Sequence, residues 1–360
     1  MTTAPVNTIT EQSSKSRLYT QQRFLFMTLD PVHIGTGGYR LGRVDMAIAR
    51  EPGTELPKIP GTSLSGAARH YAAMRYNKPE AAGQHKKFSG DRTQCPIIYT
   101  FGTATDTGNG QNGSRGNQAG TVSVGDARIL FFPVNSMIGP LWVSTVEGMK
   151  EAWGKNCLTL PQQPTDDVVV TSANWDGKLN LGWLMFDAKK GMQINLPEWK
   201  PKSENSAILW SAIKDRIVLV TEKLFSQIVN SNLEIRTSVS IDPETGAAAR
   251  GALFTYEAIP RAAWLWCDVV EDDYRKGEAR EDEIEQDEKK SYPFPVTKEY
   301  DREKNREKGG KDFPNGEKWE QPLDVVRAGM SLIAYLGVGG MGTRGFGRMY
   351  LVDDWTIDKR

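Results

Sequence analysis

The first strong pattern in the chain is Arg23 to Leu29, RFLFMTL, a compact apolar run of β-favouring residues that ends at the turn-rich stretch Asp30 to Gly38. It predicts a first strand leaving the core into a glycine loop. Asp45 to Arg50 is a short strand candidate, followed by LPKIPGTSLSGAARHY from Leu56 to Tyr71. Thr62 or Ser63 is suited to an N-cap there, and Leu64, Ala67, Ala68 and Tyr71 fall at helical spacing, so a helix is predicted to about Tyr76. Residues 103–120 are almost all Gly, Asn, Thr, Gln and Ser, which predicts a mobile polar loop. The β-rich alternation of Thr121 to Pro133 then predicts a strand entering the core. Across Asn205 to Val229, Ile208, Leu209, Ile213, Ile217, Val218, Leu224 and Ile228 approximate a helical stripe, and one further helix is expected. Trp264 and Trp266 alternate with Leu265 as in a strand and read as core, and Met349 to Val352 reads as a last strand.

Composition narrows the picture. At 360 residues the chain can bury one large core or two modest ones. Lys plus Arg equals Asp plus Glu at 45 each, so any attraction to a polyanion must come from local basic surface and not from net charge. Cys95, Cys157 and Cys267 are widely spaced and odd in number, without CxxC or a His at ligand spacing, which speaks against a disulfide framework and a zinc site and fits a reducing cytoplasm. No apolar run is long enough to cross a bilayer, and the Thr/Ser/Gln-rich residues 1–20 read as a flexible N-terminal tail. Residues 271–321 turn heavily charged and are expected to be a solvated insertion.

The candidate chemistry centres on phosphate. From Gly337 to Arg348 the chain reads GVGGMGTRGFGR. Gly339, Gly340 and Gly342 would let main-chain N–H groups approach a bound group, and Arg344 and Arg348 can fork onto phosphate oxygens. The plainer alternative is a tight turn that needs glycine for its shape alone. No GxxxxGK[ST] pattern is present, so an extended phosphate backbone suits this loop better than a hydrolysed nucleotide. The helix start at Ser63, with Lys58 and Arg69 nearby, is a second candidate phosphate contact through its exposed N–H groups and positive dipole end. Asp45 sits in a loop between Arg43 and Arg50. It either makes an ion pair with a neighbouring arginine or holds a hydrated Mg²⁺ beside a bound backbone, since Mg²⁺ keeps most of its waters and needs only one or two protein carboxylates. His33 either stacks on an RNA base, serves as a catalytic acid or caps a turn, while His70 and His85 carry no role.

Three motifs in chain order, Val32 to Gly37 leading to Asp45, Ile59 to Arg69, and Gly337 to Gly347, together resemble the RAMP superfamily of CRISPR-associated proteins. Phe101-Gly102, the run from Val124 to Val134 and Thr237 to Gly246 most resemble the backbone subunit of type III-B effector complexes. The resemblance implies an α+β protein: a single domain over 21–360 with a ferredoxin-like, RNA-recognition-type core of antiparallel sheet and helices, long insertions and a thumb-like β-hairpin at 235–253. It further implies a filament of several copies along a CRISPR RNA guide, in contact with target RNA and other subunits of the complex. Asp45 matches the position associated with metal-dependent cleavage of target RNA, with Mg²⁺ or Mn²⁺ as the cofactor and His33 as an auxiliary or guide-contacting residue. Arg43 and Arg50 would support RNA binding there. Tyr256-Glu257 resembles a position near the cleavage centre, but reads first as an ordinary strand end with an exposed glutamate. A non-cleaving filament scaffold and an endonuclease that processes precursor CRISPR RNA are the alternatives.

Overall fold

The computed structural model of the protein describes residues 19–37, 44–83, 88, 94–103, 119–196, 199–277, 292–303 and 310–357. Arg43, His85, most of the expected tail, residues 104–118 of the polar loop and residues 278–291 and 304–309 of the charged insertion lie outside them. In chain order the strands are β1 (Thr20–Thr28), β2 (Lys58–Ile59), β3 (Val122–Val124), β4 (Ala127–Val134), β5 (Leu141–Thr145), β6 (Leu158–Thr159), β7 (Val168–Thr171), β8 (Gly177–Leu181), β9 (Leu184–Lys190), β10 (Gln193–Ile194), β11 (Ile217–Val220), β12 (Glu234–Ile241), β13 (Ala248–Ala258), β14 (Trp264–Glu271) and β15 (Met349–Thr356). The helices are α1 (Gly61–Arg75), α2 (Pro96–Phe101), α3 (Val146–Trp153), α4 (Glu204–Ile213), α5 (Glu222–Ser231), α6 (Tyr274–Gly277), α7 (Pro322–Ser331) and α8 (Ile333–Leu336).

One eleven-stranded sheet runs in the order β15-β1-β14-β4-β5-β11-β7-β9-β8, with β2 on β4 and β3 on β14. The resemblance implied an antiparallel sheet. The observed sheet is mixed, because β5 and β11 pair parallel, as do β7 and β9. Both faces are covered: Phe24 and Phe26 of β1 enter one hydrophobic cluster with Leu64 and Ala68 of α1, while Leu25 joins Trp153, Trp199, Trp264 and Trp266 on the other side. That is why RFLFM reads as an unbroken apolar run and not as an alternating one.

Two expectations are corrected. The single helix over 205–229 is α4 and α5 with β11 between them, since the aliphatic Ile217-Val218-Leu219-Val220 is buried on both faces and a short fully buried strand cannot be told from a helical stripe by periodicity. The insertion at 271–321 is not uniformly solvated. Phe294, Val296, Tyr300, Phe313 and Trp319 form a third cluster with Tyr76 of the α1 C-cap, and the buried Lys78 ammonium lies 3.8 Å from the Tyr300 ring centre. These aromatics clamp the segment to α1 and α7. No helix among the described residues is long and apolar enough to cross a membrane.

Candidate functional site at the root of a β-hairpin

Strands β12 and β13 form a sheet of their own, paired antiparallel from Glu234 opposite Ala258 to Ile241 opposite Ala248. Asp242 makes the turn: its carbonyl accepts from Gly246 N at 2.8 Å and its carboxylate from Glu244 N at 2.9 Å. This is the hairpin expected at 235–253. Ile235, Val239, Ile241 and Leu253 are exposed along it, whereas Tyr256, Glu257 and Ala258 at its root are buried.

The loop after β1 docks against that root. Met46 pairs parallel with Tyr256; Met46 N donates to the Thr255 carbonyl at 3.0 Å and Glu257 N to the Met46 carbonyl at 3.2 Å. Asp45, fully exposed, therefore arrives beside Thr255, whose N–H and hydroxyl both donate to Asp45 Oδ2, at 2.7 and 2.9 Å. Asp45 N returns a bond to Thr255 Oγ1 at 3.2 Å. The Thr255 amide, then its hydroxyl, hold the Asp45 carboxyl below the usual carboxylate value. Oδ1 takes no hydrogen bond from another described residue.

Asp45 makes no ion pair with Arg50. Arg50 instead forks onto Glu257, with Nη1 to Oε1 at 2.6 Å and Nη2 to Oε2 at 2.9 Å, and its Nε bonds Asn230 Oδ1. Glu257 Oε1 also accepts from Ile48 N at 2.9 Å. The RNA-binding expectation for Arg50 and the exposed-glutamate reading of Glu257 are thereby corrected: the two form a buried pair that fixes the Asp45 loop. His33 is also buried, donating from Nδ1 to the Glu257 carbonyl at 2.7 Å and meeting Tyr256 edge to face. As Nδ1 is engaged and the ring enclosed, His33 supports the root; it is not an exposed acid or base.

The glycine loop closes over the same region. Gly340 N donates to the His33 carbonyl at 2.9 Å, and a Cβ on Gly339 (φ 86°) would come within 2.5 Å of that oxygen. The amide expected to meet phosphate at Gly340 is thus spent on the protein, and Gly339 is small because backbone passes against it. Phe346 packs on Tyr256, with Arg236 over its outer face, while the exposed Arg344 lies over Phe254 at 5.5 Å. Gly342 is exposed beside it. Arg348 pairs with Asp30 at 2.5 Å.

At the start of α1 the protein has filled its own anion site. The helix begins at Gly61 with Pro60 as its cap, not Thr62 or Ser63. Asp126 Oδ1 accepts from Gly61 N at 2.8 Å, its Oδ2 meets Lys58 Nζ at 2.6 Å, and the Ser63 amide donates to the Pro60 carbonyl. Burial pushes the Asp126 carboxyl up, but Lys58 and the Gly61 N–H outweigh it and the net shift is downward. Arg69 turns inward to the Ala81 carbonyl. Lys58, Ser63 and Arg69 therefore have protein partners of their own. The residues missed in the sequence are Thr255, Asp126, Phe254 and Phe346; only the Gly125-Asp126 break in a β-rich run could have signalled one of them.

Among the described residues no group of three His, Cys, Asp or Glu side chains converges as a metal cage. A single open carboxylate oxygen suits an ion shared with a bound phosphate, which brings its own oxygens and waters, and not one held by the protein alone. Residues 25–350 match the RAMP superfamily. The chain belongs to that superfamily. Within the RAMP proteins it is similar to the CRISPR system Cmr endoribonuclease Cmr4 of Pyrococcus furiosus, 31% identical over 245 residues that cover 65% of this chain and 75% of the relative. Its fold is similar to a chain of the type III-B Cmr-beta complex in the apo state, with a TM-score of 0.53 at 13% identity, over 92% of this chain and 95% of the other. Oligomeric Cmr4 from Pyrococcus furiosus gives a TM-score of 0.49 at 18% identity, over 94% and 99%. The resemblance carried by the loop after β1, the start of α1 and the glycine loop is borne out as RAMP membership.

Proposed function

We propose that the chain is the backbone subunit of a type III CRISPR ribonucleoprotein, built on a ferredoxin-like, RNA-recognition-type core, that binds CRISPR RNA as a multi-copy filament in the cytoplasm and cuts complementary target RNA at regular intervals. The observation that carries the cleavage reading is Asp45: an exposed carboxylate at the root of a projecting hairpin, held by one oxygen and with no described residue bonded to the other. Its homologue from Pyrococcus furiosus is described as an endoribonuclease.

In the proposed reaction the 2′-oxygen of the target forms a bond to the adjacent phosphorus, the bond to the 5′-oxygen breaks, and the 2′-proton leaves to Asp45 or to water oriented by it. The products are a 2′,3′-cyclic phosphate and a 5′-hydroxyl, the leaving oxygen taking its proton from solvent. Asp45 would hold Mg²⁺ or Mn²⁺, which would supply charge neutralisation for the phosphorane. Arg344 offers an exposed guanidinium to the backbone nearby. Processing of precursor RNA by metal-free histidine chemistry fits less well, because His33 is enclosed and engaged.

Replacing Asp45 with Asn in every copy of an assembled complex should cut the rate of target cleavage about 10²-fold or more with Mg²⁺ present, while target affinity changes little. EDTA should abolish cutting by the unaltered complex. Undiminished cleavage by Asp45→Asn complexes leaves the scaffold reading, and cleavage that survives EDTA leaves the processing one.

A further inference from the structure

We propose that Thr255 is a positioning residue for target cleavage: its amide and hydroxyl together grip Asp45 Oδ2 and thereby aim Oδ1 at the RNA. The inference rests on the reading of Asp45 as the cleaving carboxylate and goes beyond it by naming what fixes the group. An exposed aspartate ordinarily samples several rotamers, and a reacting group displaced by about 1 Å can lose roughly 10²-fold in rate. Asp45 is exposed, so packing alone does not fix its rotamer. Its orientation comes from the bonds to Thr255 at 2.7 and 2.9 Å and the return bond from its own amide at 3.2 Å.

The pattern of the strand edge sets this contact apart from ordinary pairing. On the side of β13 away from β12, Glu257 N donates to the Met46 carbonyl and Ile259 N, just past the strand, donates to the Val32 carbonyl. At Thr255 a side-chain carboxylate takes the place that a backbone carbonyl takes at the other two. The loop is already fastened by Met46, Ile48 and Arg50, so the Thr255 hydroxyl adds little that docking requires. What it adds is a second donor on one chosen oxygen.

The test uses whole complexes loaded with CRISPR RNA and carrying Thr255→Val, Thr255→Ser or Asp45→Asn in every copy. Valine keeps the shape and the amide bond but removes the hydroxyl; serine restores it. The single-turnover cleavage rate should fall about 10-fold to 100-fold in Thr255→Val with target affinity unchanged, and Thr255→Ser should recover most of it. Hydrogen exchange on the same chain supplies a readout independent of cutting: the Asp45 amide should lose protection in Thr255→Val while Met46 and Glu257 amides keep theirs. Wild-type cutting by Thr255→Val alongside a dead Asp45→Asn overturns the role of Thr255 and leaves that of Asp45 standing. Equal deficits in the Val and Ser variants, or joint loss of protection at Met46 and Glu257, show a structural role and overturn it too. If Asp45→Asn cuts normally, both assignments fall.

Discussion

The loop at 44–50 and the start of α1 both carry the charged, glycine-flanked character of an anion or metal site, yet the structure treats them in opposite ways. At α1 the helix N-terminus and Lys58 are both taken by Asp126. At the hairpin root Arg50 is drawn away to Glu257, and Asp45 Oδ1 takes no hydrogen bond from another described residue. Residue types that suit a ligand do not show whether the protein supplies that ligand itself; the difference lies in long-range partners.

The largest effect that can break this contrast is expected at Glu257. Glu257→Gln removes the charge that holds Arg50 in a nearly buried pair, and breaking such a pair costs about 3–5 kcal/mol. Denaturant unfolding should show that loss, and cleavage should fall with it because the Asp45 loop loses its fastening. A variant that is stable but inactive would instead make Glu257 part of the chemistry. A smaller effect separates the two loop arginines. Arg344 pairs with no carboxylate among the described residues, whereas Arg348 is bound to Asp30. Arg344→Ala should weaken guide retention and lower the slope of log affinity against log salt by about 1, and Arg348→Ala should move it less. Equal slopes would put both arginines on phosphate.

The smallest effect belongs to the α1 start. The Asp126 carboxyl lies below its ordinary value of 3.8, so its stabilising contribution is present above that pH and is lost as pH falls through the lower folded value. Because Asp126 is well exposed, the contribution should stay under about 1 kcal/mol. The melting temperatures of the wild type and Asp126→Asn should differ slightly at pH 7 and converge below about pH 4. A much larger drop in guide retention than in stability would return this helix start to the RNA surface.

The local elements were legible where periodicity or turn chemistry was unambiguous. RFLFMTL is β1, the Leu64-Ala67-Ala68-Tyr71 stripe is α1, and Asp242 to Gly246 turns the hairpin. Periodicity failed at Ile217 to Val220, where a strand buried on both faces carries no period to distinguish it from a helix. The charged insertion misled because its acidic and basic residues outnumber the few aromatics that anchor it at Tyr76. In the site, the residue types around Asp45 and His33 were readable but their partners were not: Arg50 finds Glu257 across 207 positions and Arg348 finds Asp30 across 318. Thr255 looks like any strand threonine until a carboxylate is seen across from it.

The parallel pairing of Met46 with Tyr256 gives the hairpin a mechanical character. A pull along β13 loads the Met46 bonds to Thr255 and Glu257 in shear and shares the force between them, whereas a peeling load would break them one after another. The Arg50 fork onto Glu257 acts as a rivet at the far end. The Met46 bonds, the Thr255 bonds to Asp45 and the Arg50 fork thus tie the carboxylate to β13, the strand that carries the exposed Leu253.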